Sequence, residues 1–134
     1  MSKTLERAKA FYALAAADPI AACKEYLSAD FVLENYLPSH IPFGGRHKGV
    51  EGFLAYLGEM AQAIEMGPLQ MDSWVCEGHC VVVRGREESL VRATARTYRM
   101  QFVHWLEFDD AGRIRSMREY NDTAAMGCAF DRDG

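Results

Sequence analysis

The sequence has no excess of basic residues, no long apolar run, and few glycines or prolines. Its 134 residues include 15 Lys and Arg against 19 Asp and Glu, for a formal net charge of −4, so we expect no nucleic-acid partner. With only 11 Gly and 4 Pro, the composition is typical of one globular domain, which we expect to span residues 1–134. The N-terminal segment MSKTLERAKAFYALAAADP mixes charge into each turn, so we expect a cytoplasmic protein with no membrane contact.

Cysteine is also sparse, and its spacing is that of unpaired thiols. The four residues, Cys23, Cys76, Cys80 and Cys128, are spread over the chain. An alternative is that half of a zinc site is formed by Cys76, His79 and Cys80. However, no second ligand pair follows at the spacing of a zinc finger. The chain also lacks a phosphate-binding glycine motif, so we expect neither a metal nor a cofactor.

Hydrophobic periodicity divides the chain into a helical half and a strand half. Apolar residues at helical spacing predict helices over about 2–17, 19–28 and 49–64, with Ser2 capping the first and Asp18-Pro19 starting the second. A short strand is expected at 31–35 and a loop at 37–45. From Gly67 the period becomes two, predicting antiparallel strands at about 69–77, 80–90, 96–108 and 113–122. This order predicts an α+β domain whose helices pack on one face of the sheet.

One histidine lies on the apolar face of the longest predicted strand. His104 shares this face with Tyr98, Met100, Phe102, Leu106 and Phe108. It is either a core histidine with both ring nitrogens bonded or an acid–base group in a pocket. The next strand decides what it faces: an even-length loop places Arg115, Met117, Glu119 and Asn121 on the same face, whereas an odd-length loop or a bulge places Ile114, Ser116, Arg118, Tyr120 and Asp122 there.

Six ordered motifs resemble the SnoaL-like branch of the nuclear transport factor 2-like superfamily. They are DFVLEN at 30–35, IPFGG at 41–45, GVEGF at 49–53, VVVRGRE at 81–87, FVH at 102–104 and REYNDTAA at 118–125. The resemblance covers nearly the whole chain. It implies a cone-shaped fold in which three helices close a curved antiparallel or mixed sheet around an apolar pocket. It also implies a homodimer that packs sheet against sheet, with Val103 and Trp105 as the apolar patch on the outer face.

The same resemblance selects Glu119 as the residue that faces His104. Glu119 stands at the position of the acid–base aspartate of SnoaL-type cyclases, and His104 matches the histidine that accompanies it. Asn35 and Arg84 match positions of limonene-epoxide-hydrolase-like members, but Arg86 stands where their second Asp belongs and Leu33 where their Tyr belongs. Ketosteroid isomerases carry a proton-shuttling Asp at the position of Asn35, and an amide cannot exchange a proton at neutral pH.

The resulting functional expectation is a small pocket protein for a hydrophobic ligand. Its leading form is a cofactor-free cyclase, isomerase or lyase that acts on a carbonyl compound, with Glu119 and His104 as catalytic residues. We expect six residues to bind the substrate: Asn35, Arg84, Tyr98, Asn121, Phe102 and Trp74. A non-catalytic ligand-binding or dimeric partner domain is the alternative, and epoxide hydrolysis is the second one.

Overall fold

The computed structural model of the protein describes residues 2–132, and over that range the chain forms four helices and seven strands. In chain order these are α1 (Lys3–Ala17), α2 (Pro19–Tyr26), β1 (Leu27–Asn35), β2 (Gly45–Lys48), α3 (Gly49–Ala63), β3 (Ile64–Met66), β4 (Gln70–Glu77), β5 (Cys80–Val91), β6 (Arg96–Phe108), β7 (Ile114–Asn121) and α4 (Thr123–Phe130). The sheet is mixed and curls into a half-barrel, which confirms the predicted α+β cone.

The first two helices begin where the capping residues predict. The Ser2 hydroxyl accepts the Leu5 backbone N–H at 3.1 Å, and the Asp18 carboxylate accepts that of Ala21 at 3.1 Å with Pro19 at the first helical position. None of the helices within residues 2–132 is long and apolar enough to span a membrane.

The sheet follows the order β2-β1-β7-β6-β5-β3, and β4 also pairs with β5. Strand β1 lies parallel to β7, whereas the other pairs are antiparallel. Both β3 and β4 pair with β5, at opposite ends of that long strand. This arrangement places the inner face of β5, β6 and β7 opposite α1 and α3, which is where His104 and Glu119 meet.

The structure differs from the sequence-based expectation in several elements, and β1 begins at Leu27 rather than at residue 31. The second helix ends at Tyr26 rather than Ser28, because the chain becomes extended at Leu27 and pairs with β7. Two short strands, β2 and β3, were not predicted: β2 begins at the last residue of the predicted loop, and β3 begins where the third helix was predicted to end. A fourth helix, α4, follows β7 and is capped by the Asp122 side chain on the Ala125 N–H at 3.1 Å.

The outer face of the sheet carries exposed aromatic residues. Trp105 is 42% exposed, and Tyr36 and Tyr120 stack on each other with ring centroids 5.5 Å apart. Val103 is half-buried beside them and pairs across the strands with Tyr120. The apolar residues predicted on the outer face of the sheet therefore form part of an exposed patch.

Candidate functional site

A cavity of about 710 Å³ lies between the helices and the inner face of the sheet. Most of its lining is aromatic or aliphatic. The polar and charged exceptions are Lys9, Tyr12, Tyr56, Glu87, Tyr98, His104, Glu119 and Asn121. The lining residues that are exposed to solvent, Lys9, Ala13 and Ala16 of α1 and Met66 and Pro68 after α3, mark the mouth. An apolar enclosure with a few polar groups is typical of small-molecule sites.

Glu119 is a buried carboxylate on β7 that faces this cavity. Its Oε1 accepts the Tyr56 O–H at 2.7 Å, from helix α3. Burial raises the pKa of Glu119 to about 7, since removal from water disfavours the charged form. The Tyr56 and Asn35 hydrogen bonds oppose this increase, and the nearby Glu87 carboxylate adds to it. Glu119 therefore exchanges a proton near neutral pH.

His104 is held between two aromatic rings. The Phe102 ring stacks at 4.4 Å between centroids and the Tyr12 ring at 5.8 Å, while the Tyr12 hydroxyl lies 2.7 Å from Nδ1. Burial lowers the pKa of His104 to about 3, so the imidazole is neutral at physiological pH. The ring thus acts as a hydrogen-bonding group with one N–H and one lone pair.

The two predicted catalytic residues are brought together. His104 Nε2 lies 3.3 Å from Glu119 Oε2, and the residues are direct cross-strand partners on β6 and β7. Because the imidazole is neutral, this contact is not an ion pair, and its hydrogen position depends on the histidine tautomer. Tyr12, His104 and Glu119 form a continuous series of polar contacts along the cavity wall.

Two tyrosines supply hydroxyl groups to this series. Burial, reinforced by the Glu119 charge, raises the pKa of Tyr12 and of Tyr56 well above the usual tyrosine value. Both hydroxyls therefore keep their protons and can donate hydrogen bonds. Tyr56 donates to Glu119, and Tyr12 either donates to His104 Nδ1 or accepts from it.

Asn35 lies next to Glu119 but does not line the cavity. The two residues are partners in the parallel β1–β7 pair, and Asn35 is buried. Its amide donates to the Phe43 carbonyl at 3.1 Å and accepts the Gly45 N–H at 2.9 Å. Asn35 therefore fixes the loop before β2 while it stabilises the charged form of Glu119.

The other predicted substrate-binding residues divide into three groups. Tyr98, Asn121 and Trp74 line the cavity. Phe102 is fully buried behind His104, where it supports the imidazole. Arg84 is exposed on the outer face of β5, because side chains alternate along a strand and Val83 beside it is buried. The structure therefore places Arg84 away from the cavity.

Four polar or charged cavity residues were not among the predicted site residues: Lys9, Tyr12, Tyr56 and Glu87. Helical periodicity can assign Tyr12 and Tyr56 to helices, but it does not show their contacts with residues 92 and 63 positions away in sequence. Glu87 is not bonded to the nearby Arg86, which instead binds Asp72 through two hydrogen bonds of 2.9 and 3.0 Å. The alternation of side chains along β5 could have identified Glu87 as a residue of the inner face, since it has the same odd-numbered spacing as the buried Val81, Val83 and Val91.

A family model for the SnoaL-like domain matches residues 8–117. This span covers most of the chain: it includes α2, α3 and strands β1 to β6, the greater part of α1 and the first residues of β7. The chain belongs to the SnoaL-like family, and its cavity places it among the pocket proteins of the NTF2-like fold. A search of curated proteins found no match.

Solved structures show the same fold at low sequence identity. An NTF2-like protein from Burkholderia xenovorans is 23% identical, with 96% of this chain and 95% of that chain covered and a TM-score of 0.85. TerC, co-crystallised with polyporic acid, is 23% identical over 96% and 98% of the two chains, with a TM-score of 0.84. A protein from Bacillus subtilis, provisionally named an isomerase, is 21% identical over 97% and 94%, with a TM-score of 0.76.

Proposed function

We propose that the protein is a cofactor-free enzyme that removes and returns a proton beside the carbonyl group of a hydrophobic compound, with Glu119 as the base. One observation carries this proposal: a buried carboxylate whose pKa is raised to about 7 faces an apolar cavity. A base with a pKa near the working pH combines a useful ionised fraction with sufficient basicity. The provisional isomerase name of a structural neighbour agrees with this chemistry.

The proposed step is enolisation. An oxygen of ionised Glu119 takes the proton from the carbon next to the carbonyl, the C–H electron pair forms a C=C bond, and the carbonyl π electrons move to oxygen. Return of the proton to a different carbon isomerises the substrate. Alternatively, the enolate expels a leaving group from the carbon β to the carbonyl, and the enzyme is then a lyase. Attack of the enolate on a second carbonyl closes a ring. The cavity thus supports each reaction in the expected class with the same base.

Tyr12 is the proposed donor to the developing enolate oxygen. Its protonated hydroxyl lines the cavity and lies 2.7 Å from His104 Nδ1. If His104 carries its hydrogen on Nδ1, the Tyr12 oxygen accepts it and the Tyr12 O–H becomes free to donate to substrate. The lone pair on Nε2 then faces Oε2 of Glu119, which disfavours the ionised carboxylate and makes it more basic; the repulsion is relieved when the carboxyl has taken the substrate proton. A well-placed donor of this kind contributes about 3–4 kcal/mol.

Hydrogen–deuterium exchange tests the proposal without knowledge of the natural substrate. The probe is 2-tetralone, a bicyclic ketone much smaller than the cavity, incubated with the protein in D₂O and followed by proton NMR. We expect catalysed exchange beside the carbonyl and a loss of about 100-fold or more in Glu119→Gln. Glu88→Gln is the matched control, because it removes the same charge from the exposed side of β5. Equal exchange rates for Glu119→Gln and the wild type would refute the assignment.

Ligand binding without catalysis is the second candidate, and the size and apolar character of the cavity favour it. It predicts that 2-tetralone raises the melting temperature of the protein but shows no catalysed exchange. Epoxide hydrolysis has less support, because Arg84 points away from the cavity and Arg86 is bound to Asp72.

A further inference from the structure

A second carboxylate, Glu87, lines the cavity and has no part in the proposed proton transfer. It lies on the inner face of β5, is 8% exposed, and pairs across the strands with Met100. Its Oε2 accepts the Tyr98 O–H and the Ser89 O–H, each at 2.7 Å. Two hydroxyl donors on one oxygen fix the orientation of the carboxylate.

The other oxygen of Glu87 faces open space in the cavity. Within residues 2–132, Oε1 of Glu87 has no hydrogen-bond donor, yet no fully buried side-chain oxygen or nitrogen there lacks a partner. Oε1 is therefore accessible, and the space that Glu87 lines is the cavity. An accessible carboxylate oxygen held in a fixed orientation inside an apolar enclosure can accept a hydrogen bond from a donor group of a ligand.

The donors that hold Glu87 are themselves fixed. Ser89 Oγ accepts the backbone N–H of Gly67 at 3.3 Å, so its own hydrogen is directed to Glu87. Gly67 belongs to the connection at the cavity mouth, and a Cβ there would meet the Glu88 carbonyl oxygen. Tyr98 keeps its proton because burial and the Glu87 charge raise the pKa of its hydroxyl. The free oxygen thus has a defined position for a ligand.

The charges around the cavity favour some ligands over others. The lining contains two carboxylates, Glu87 and Glu119, and one cationic side chain, Lys9. Lys9 is exposed at the mouth, with its ammonium 5.7 Å from the centroid of the Trp74 ring, and His104 is neutral inside. An anionic group in the interior would meet like charge with no opposite charge, whereas a hydroxyl or ammonium can donate to the free oxygen.

We propose that Glu87 forms a second polar subsite, which binds a hydrogen-bond-donating head group, a hydroxyl or an ammonium, at one end of an apolar ligand and excludes anionic head groups. This inference deepens the proposed function. It rests on that function for one point only, the carbonyl group of the ligand at the Glu119 end. The substrate class is then a neutral or cationic apolar compound with a donor group and a carbonyl group at separate positions.

The test compares four naphthalenes of similar size by calorimetry: 2-naphthalenemethanol, 2-naphthylmethylamine, 2-naphthoate and 2-methylnaphthalene, which lacks a polar group. In the wild type we expect the alcohol and the amine to bind at least tenfold more tightly than naphthoate, and more tightly than 2-methylnaphthalene. Equal binding of naphthoate, or the absence of binding by any of the four, would overturn the proposal.

The variant Glu87→Gln places an amide at the subsite. Its carbonyl can accept the Tyr98 and Ser89 hydroxyls, which turns its NH₂ toward the cavity, so we expect naphthoate to gain affinity and the amine to lose at least tenfold. Glu87→Met keeps the side-chain volume but removes its polar group, and it replaces the amide variant if that variant does not fold. It should remove the preference for ligands with a hydrogen-bond donor. Glu88→Gln is the control for net charge and should retain the wild-type order of affinities.

These binding results are independent of the exchange assay. Retained selectivity with no catalysed exchange of 2-tetralone would leave the Glu87 subsite in place and refute the enzymatic function. Catalysed exchange with affinities that Glu87→Gln changes by one common factor would refute the subsite and leave the base assignment in place.

Discussion

His104 and Glu119 face each other with 3.3 Å between Nε2 and Oε2, although the connection between their strands contains both of the irregularities that change strand register. Phe108 pairs with Ile114 across an odd-length, five-residue loop at 109–113, which alone would place Arg118 opposite His104. The next pair joins Glu107 to Ser116, so one extra residue, Arg115, enters β7 as a bulge. The two shifts compensate and return Glu119 to the cavity.

We expect the exchange rate of 2-tetralone to rise with pH through about 7, because the base acts in its ionised form and burial sets the pKa of Glu119 there. Tyr56→Phe should move this rise to higher pH, since the Tyr56 hydrogen bond holds the pKa of Glu119 down. The pH profiles of kcat/KM for the two proteins check this. A profile that is unchanged in Tyr56→Phe would show that the titrating group is not Glu119.

Tyr12→Phe should lower the exchange rate and leave its pH profile in place. Its hydroxyl is the proposed donor to the enolate oxygen, so its loss should cost about 100-fold. The groups that shift the pKa of Glu119 are Tyr56, Glu87 and Asn35, which do not include Tyr12. A shift of the profile in Tyr12→Phe without a reduced plateau would contradict the donor role.

The pKa values of Glu119 and His104 shift in opposite directions on folding, and this predicts how the stability of the protein changes with pH. Folding raises the pKa of Glu119 from 4.5 to about 7, so the folded state retains a proton that the unfolded state loses, and stability falls as pH rises between these values. Folding lowers the pKa of His104 from 6.5 to about 3, so stability falls as pH decreases between these values. From pH 4.5 to 6.5 the two slopes cancel.

Single substitutions should reveal each slope. In Glu119→Gln the His104 contribution remains, because burial alone lowers the pKa of His104, and stability should rise relative to the wild type by about 1.4 kcal/mol per pH unit between pH 4.5 and 6.5. In His104→Gln it should fall by a similar amount. Urea unfolding at several pH values measures both. Parallel pH dependence in all three proteins would contradict the two pKa shifts.

Gly85 is predicted to support the site through Phe102. A Cβ at Gly85 would lie 2.5 Å from the Gln70 carbonyl oxygen and 2.5 Å from Phe102 Cζ, so the Phe102 ring, which stacks on His104, would have to move. We expect Gly85→Ala to lower the unfolding free energy by about 1–3 kcal/mol and to reduce exchange. Gly58→Ala is the control, because it adds a methyl group to an exposed helical position with open space around it. Wild-type stability in Gly85→Ala would contradict the close packing.

The elements were largely predictable because their signals are local. Ser2, Asp18 and Pro19 define helix starts within a few residues, and alternation identifies the inner face of β6. The same parity applied to β5 separates inward Glu87 from outward Arg84. Helix α4 was not predicted, because its eight residues, TAAMGCAF, have no amphipathic pattern and the capping Asp122 is the only local signal of a helix start.

The site itself depends on contacts that local patterns do not encode. The residues alone left the register of β7 open, since a five-residue loop and a bulge leave no periodic signal, and the family resemblance was needed to select Glu119. Tyr56 reaches Glu119 across 63 residues, and its helical position indicates only that it faces the core. Long-range hydrogen bonds of this kind set the pKa of Glu119, so its value could not be derived from sequence.

The exposed aromatic patch on the outer sheet face leads to the prediction of a homodimer. Trp105, Tyr120 and Tyr36 are 42%, 43% and 54% exposed and lie on the surface of the sheet opposite the cavity. An exposed apolar patch of this kind is typical of an interface, and two copies related by a two-fold axis would bury it symmetrically. We expect sedimentation at micromolar concentration to give a mass twice the 15.1 kDa of one chain.

Trp105→Glu tests whether this patch is the interface, because it places two carboxylates where the two-fold axis would bring the indoles together. The variant should sediment as a monomer and retain the fold. Ile20→Glu is the matched control, since it introduces the same charge at an exposed apolar position, 57% exposed, on helix α2. A monomeric wild type would refute the dimer. A dimeric Trp105→Glu would place the interface elsewhere, because a buried pair of like charges without partners costs several kcal/mol and would not permit association through this face.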